Sequence, residues 1–147
     1  MIRQATVKDA SRIAEISIFT KRINYRSIFR DDKVSFGEMQ VYPLAKEYID
    51  DPGKLEGIWV YEDEFVKGFI NLDSTEITEL YVDSFFENQG IGGKLVDFAI
   101  ESYNSDHLWV LEKNTKARRF YGRYGFTDTD NKRLEDGTTE YIVELKR

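Results

Sequence analysis

Between residues 76 and 112 the chain reads, in order, a strand ("EITELYVD"), a glycine turn ("ENQGIGG"), a helix and a second strand ("HLWVLE"). The helix is legible from Ile91, Leu95, Phe98, Ala99 and Ser102, which recur at the spacing of one helical face. Strand, crossover helix and strand form a βαβ unit, which makes the two strands roughly parallel and packs the helix over their sheet. The rest of the fold has to be built outward from this unit.

Upstream, "IRQAT" alternates as a short edge strand, and Asp9 stands as N-cap of a helix that presents Ala10, Ile13, Ala14 and Ser17 on one face. Residues 25–50 read as helical in part, at "YRSIF" and "GEMQVYPLAKEYI", with breaks expected at Pro43 and at "DDPG". "GIWVYEDEFVKGFINLD" gives two strands rich in β-branched and aromatic residues that turn at "EDE", and "EITELYVD" extends that meander to three. Downstream, Asn114 is placed to cap a helix with an apolar stripe of Ala117, Phe120, Tyr121 and Tyr124, ended by Gly125. "FTDTDNKRL" and "TEYIVELK", separated by "EDG", make a hairpin. The pattern is mixed α/β.

Composition narrows what such a fold can do. The 147 residues suit a single domain over residues 1–147, long enough to bury about two thirds of its unfolded surface. With no Cys and one His, disulfides, thiolate nucleophiles and the usual zinc ligand sets cannot be assembled, and no metal is expected. The opening "MIRQATVKDA" lacks the features of a signal peptide and no apolar run approaches a membrane span, so the expected location is cytoplasmic. The net charge of −6 is unevenly spread: residues 31–90 hold four Lys/Arg against fifteen acids. Such a surface repels a phosphate backbone and attracts cations, which disfavours nucleic acid and favours a cationic small molecule or peptide. The same acids also serve as a solvated, solubilising face.

At the start of a helix the backbone N–H groups lack intrahelical partners and carry the positive end of the dipole, so a side-chain-free turn there admits a phosphate. The same glycines also suit a tight strand-to-helix turn with no ligand. A P-loop would need Gly at 88 and Ser or Thr at 95, where Asn88 and Leu95 stand, and the dinucleotide fingerprint would need a small residue in place of Leu95. Neither fits.

A third pattern does. "ITELYVDSFFENQGIGGKL" followed by "LWVLEKNTKARRFYGRYGF" resembles both acetyl-CoA motifs of the Gcn5-related N-acetyltransferase (GNAT) family, and "IRQATVKDASRIAEI" resembles its N-terminal strand and helix. The two motifs span residues 77–126, about a third of the chain. The resemblance implies the acyl-CoA N-acyltransferase fold: a mixed, mostly antiparallel sheet of six to seven strands flanked by about four helices. In it the strands before the glycines and after the helix splay apart to hold the pantetheine arm. The pyrophosphate then rests on the amides of Asn88, Gln89, Gly90, Ile91, Gly92, Gly93 and Lys94. One departure is Glu87, where the family has Gln or Arg, with Asn88 in place of a common Gly; an acid beside a pyrophosphate is unfavourable unless turned to solvent.

Acetyl transfer to an amine needs a neutral nitrogen, stabilisation of the oxyanion and a proton for the departing thiolate. On periodicity alone Tyr121 is a core aromatic; the resemblance makes its phenol the general acid. Asn114 is a cap on physical grounds, and the resemblance adds a hydrogen bond to the cofactor arm, which Ala117 and Tyr121 also line. Backbone N–H groups of Tyr81 and Val82, at a bulge in the family, are the expected oxyanion donors. For the base, Glu79 is preferred over Glu76, with water as the remaining option, since an unbulged strand points the two to opposite faces. Trp109 stands where ribosomal-protein acetyltransferases of the family carry Glu, which argues against their mechanism. His107 is read as structural. Tyr25, Arg26 and Phe29 lie where the family builds its acceptor pocket. Lys113, Lys116, Arg118, Arg119 and Arg123 form the solvent face of their helix, with one or two reaching the adenosine 3′-phosphate.

The expected function is acetyl transfer from acetyl-CoA to a primary amine by direct attack in a ternary complex, with a homodimer as the family's common assembly. Two rivals are a non-catalytic acetyl-CoA sensor, distinguished by binding without turnover, and a toxin-type acetyltransferase acting on charged tRNA, distinguished by salt-dependent tRNA binding.

Overall fold

Alternating apolar residues generate the strands, and their two faces generate two cores. In the computed structural model, which describes residues 1–147, β1 (Ile2–Gln4), β2 (Ile58–Asp63), β3 (Phe65–Asp73) and β4 (Glu76–Val82) form an antiparallel meander. β5 (His107–Leu111), β6 (Thr127–Leu134) and β7 (Tyr141–Lys146) complete one seven-stranded sheet of order β1-β2-β3-β4-β5-β7-β6. Four α-helices flank it: α1 (Ala10–Phe29), α2 (Val41–Asp50), α3 (Ile91–Tyr103) and α4 (Thr115–Gly122). This is the mixed, mostly antiparallel acyl-CoA N-acyltransferase fold that the sequence led us to expect. No helix is long and apolar enough to cross a membrane.

On one face of the sheet Ile70, Leu72 and Ile77 pack with Leu108, Val143 and Leu145 beneath Leu95, Val96 and Ala99 of α3. On the other, Ile58, Val60 and Phe69 pack beneath Ile13 and Ile16 of α1 and Tyr48 of α2. Phe69 has no exposed surface, so truncating it to Ala costs about 3–5 kcal/mol by transfer and cavity terms.

Three local expectations are corrected. Asp9 does not cap α1 with its side chain; its carboxylate accepts from Thr6 N–H (2.8 Å) and from the two terminal guanidinium nitrogens of Arg3 (2.8 and 2.9 Å), tying β1 to the turn before the helix. Pro43 does not break the second helix but sits in the first turn of α2, where no N–H would have found an acceptor. On α3, Val96 is buried and Ser102 is exposed, while Tyr103 beside it in the last turn packs on Trp59 of β2.

The feature that creates a site is the pairing of β4 with β5. They are parallel, as the βαβ reading requires, but only Glu76 with His107 and Ile77 with Leu108 are in register. β4 carries a bulge immediately afterwards: Ile77 faces Leu72 and Glu79 faces Asn71, so Thr78 is the extra residue. Beyond it β4 follows β3 while β5 runs with β7 over five residues, and the two strands part.

Candidate active site

The glycine turn has left-handed backbone at Asn88 (φ 62°) and Gly90 (φ 79°), a conformation that Gly and Asn adopt at the least cost. None of the backbone N–H groups from Asn88 to Gly93 donates to a protein acceptor; the first to do so is Lys94, to Gly90 O at 3.1 Å. The free donors are therefore those of residues 88–93, and the Lys94 amide belongs to the helix ladder. Gly92 and Gly93 let α4 and the turn after it lie close: a Cβ on Gly92 would sit 3.3 Å from Phe120 Cζ, and one on Gly93 would collide with the Tyr124 phenol oxygen. Glu87 is offset by Lys116, whose Nζ lies 3.3 Å from Oε2, so the departure from the family pattern carries its own counter-charge.

From this turn a cavity of about 890 Å³ runs through the gap between β4 and β5 to the far side of the sheet. Glu76, Glu79, Tyr81, Val82, Asn88, Gly90, Ile91, Gly92, Gly93, Asn114, Ala117, Tyr121, Tyr25 and Phe29 all line it; Gln89, Lys94, Arg26, Lys113 and Arg118 do not. Arg26 pairs with Asp32 in solvent, Lys113 with Glu140 and Arg118 with Asp128. Asn114 caps α4, its side-chain oxygen accepting from Ala117 N–H at 3.2 Å. Asp83 N–H donates to Lys67 O (2.9 Å), so by the two-residue alternation of an antiparallel ladder Tyr81 N–H also turns to β3. The donor facing the gap is that of Val82, and the bulge lies at Thr78 rather than at Tyr81.

Tyr121 is buried on α4, packed edge-on against Phe120 (5.1 Å) and Phe126 (6.1 Å) with its ring between the two halves of the cavity. Burial, with the nearby Tyr25 phenol adding to it, pushes its pKa above the usual value, so the phenol holds its proton at Oη across the neutral range. On the far side Tyr25 of α1 and Tyr81 of β4 bring their phenol oxygens to 3.4 Å. Burial raises both pKa values; for Tyr25 the contact with Tyr81 acts in the opposite sense.

The bulge at Thr78 cancels the expected opposition of the two glutamates: Glu76 and Glu79 share the face turned to α1. Glu79 is half-buried, accepts from Asn71 Nδ2 (3.1 Å) and faces Lys21 Nζ at 3.8 Å. Glu76 lies at the closed end of the gap, 3.6 Å from His107 Nε2, while His107 Nδ1 meets Asp106 at 2.6 Å; His107 itself is outside the cavity. Sequence reasoning missed the side chains of Lys21, Tyr81, Trp109, Arg133 and Glu135, which also line the far compartment. For Trp109 a signal existed: Leu108 and Val110 are the buried positions of β5, so alternation turns Trp109 to the other face. For Arg133 there was none.

No group of three or more His, Asp and Glu side chains is arranged to hold a metal ion. For a nucleotide cofactor the fit is good: free amides at a helix start, glycines that keep the approach clear, and the unpaired cations Arg119 and Arg123 beside them.

Comparison with known proteins agrees with this architecture. Residues 26–143 match the acetyltransferase (GNAT) domain family, and the chain belongs to it. PaiA N-acetyltransferase of Thermoplasma acidophilum, solved in complex with coenzyme A, superposes with a TM-score of 0.75 at 18% identity, over 100% of this chain and 98% of that one. A structure of yncA from Salmonella typhimurium with its cofactor acetyl-CoA gives 0.68 at 17% identity, covering 100% and 92%. At these identities the likeness is one of fold. The curated Mycobacterium tuberculosis protein named "Probable N-acetyltransferase Rv2775" is 43% identical over 56 residues, 37% of this chain and 32% of that protein. The match thus spans about a third of the relative's length.

Proposed function

We propose that this protein is an acetyl-CoA-dependent N-acetyltransferase that acts on a primary amine of a small molecule or peptide by direct attack in a ternary complex. The observation that carries the reading is the through-going gap between β4 and β5. On one side are six unpartnered amides, on the other a compartment with carboxylates, and the Tyr121 phenol stands between them. Acetyl-CoA bound there supplies an acetyl thioester and departs as the thiol.

The amides of residues 88–93 hold the pyrophosphate, with Arg119 and Arg123 at the nucleotide end. Asn114 and Ala117 border the arm. Val82 N–H is aimed at the charge that develops on the carbonyl oxygen. Glu79, set deeper among the acceptor-side phenols than Glu76, takes a proton from the incoming ammonium directly or through water. Tyr121 Oη gives its proton to the departing sulfur. In the acceptor compartment Glu76, Glu79 and Glu135 outnumber Lys21 and Arg133, which favours entry of the amine as a cation.

The test is release of free thiol from acetyl-CoA over a panel of primary amines, with thermal melting in coenzyme A alongside. Turnover with at least one amine and a rise in melting temperature are expected. Stabilisation without turnover on any amine would make the protein a sensor, and the absence of both would remove the cofactor assignment.

A further inference from the structure

The arginines of this chain divide sharply. Arg3, Arg12, Arg22, Arg26, Arg30, Arg118 and Arg147 each donate to a carboxylate or a backbone carbonyl of the protein. Arg119, Arg123 and Arg133 donate to none, and all three line the cavity. Arg119 and Arg123 lie at the nucleotide end. Arg133 is on β6, in the opposite compartment, and its guanidinium carbon lies over the Trp109 ring, 4.3 Å from the centroid.

A guanidinium that stacks on an indole is held in one plane while its five N–H donors stay available at the edge, the geometry that engages a carboxylate with two parallel bonds. We infer that Arg133, positioned by Trp109, binds a carboxylate carried by the acceptor itself, so that the substrates are amines bearing a carboxylate, such as amino acids. The inference rests on the acetyl-transfer reading for the identity of the compartment. Its two charge types then have separate tasks. Glu79 receives the amine end, and Arg133 holds the anionic end away from it.

A phosphate would satisfy the same guanidinium, but Glu135 stands two residues from Arg133, lines the same compartment and has no cationic partner. It repels a dianion about twice as strongly as a monoanion. The monoanionic carboxylate is therefore the better match.

The experiment uses matched pairs that differ by one group: lysine with cadaverine, tyrosine with tyramine, and phosphoethanolamine with ethanolamine. Binding to the protein saturated with coenzyme A is measured by calorimetry, and kcat/KM wherever turnover is seen. In the wild type the carboxylated member of a pair exceeds its decarboxylated partner by tenfold or more. In Arg133→Gln that ratio falls to within twofold of unity. Equal binding of the pair in the wild type, or a ratio that survives in Arg133→Gln, overturns the inference, as does a larger gain for the phosphorylated member. Because the ratio is read in binding, a protein that turns over no amine sinks the acetyl-transfer reading while the carboxylate site still stands or falls by its own measurement.

Discussion

Replacing Tyr121 with Phe separates the role of its oxygen from the role of its ring. The ring is buried between Phe120 and Phe126, and the oxygen makes no hydrogen bond to protein, since none of the side-chain bonds involves it, the nearby phenol pair being Tyr25 with Tyr81. Phe therefore leaves no cavity and orphans no partner, so the change in stability stays within about 1 kcal/mol. The chemistry is another matter. A positioned proton donor contributes about 10²–10⁴-fold, equivalent to about 2.7–5.4 kcal/mol in the barrier. Tyr121→Phe should lower kcat by that factor with little change in melting temperature or in affinity for coenzyme A. Thiol release between pH 6 and 10, with calorimetric melting of the same samples with and without coenzyme A, reads all three quantities. A variant within threefold of the wild-type rate at every pH would refute the assignment of Tyr121 as the acid, and a loss of melting temperature in step with activity would show the effect to be structural.

Three further outcomes follow from the same geometry. Glu79→Gln should reduce kcat at least tenfold more than Glu76→Gln, because Glu79 sits among the phenols while Glu76 is engaged at the closed end with His107; equal losses would remove Glu79 as the favoured base. Gly93→Ala should weaken coenzyme A binding and shift Tyr124. The added Cβ meets the far end of the Tyr124 side chain, which can swing aside, so the effect falls on that ring's place in the cavity wall, and an unchanged dissociation constant in this variant contradicts the packing argument. Finally, Tyr25, Tyr48, Tyr81 and Tyr121 all have pKa values raised in the folded protein, by burial first. The unfolded chain loses those protons near pH 10 while the folded one keeps them. Their stabilisation is thus complete below pH 10 and is lost as pH rises through the folded values, by about 1.4 kcal/mol per pH unit for each phenol. Urea midpoints at pH 9 and pH 11 should differ clearly; equal midpoints would show the phenols to be solvated.

The order of elements was readable because it is written in neighbours. Period-two alternation in "GIWVYEDEFVKGFINLD" and the 3.6 period of Ile91, Leu95 and Ala99 depend only on which face each residue must bury. The cap at Asn114 and the left-handed Gly90 are likewise local chemistry. So is the row of free amides at the start of α3, which follows from a glycine turn preceding a helix. Where a local rule failed, a distant residue had prevailed: Asp9 has the sequence context of a cap, but Arg3 takes its carboxylate.

The compartment that faces the acceptor was decided only by tertiary structure. One extra residue at Thr78 turned Glu76 and Glu79 to the same face, and insertion of β7 between β5 and β6 carried Arg133 over Trp109. Tyr25 and Tyr81 meet across 56 residues of sequence. By itself the chain determined the βαβ unit, the glycine turn and the family's motifs, because periodicity and turn chemistry act between residues a few positions apart. Which charges and phenols share a cavity depends on strand register and sheet order, and those are settled only when the whole chain minimises its exposed apolar surface at once.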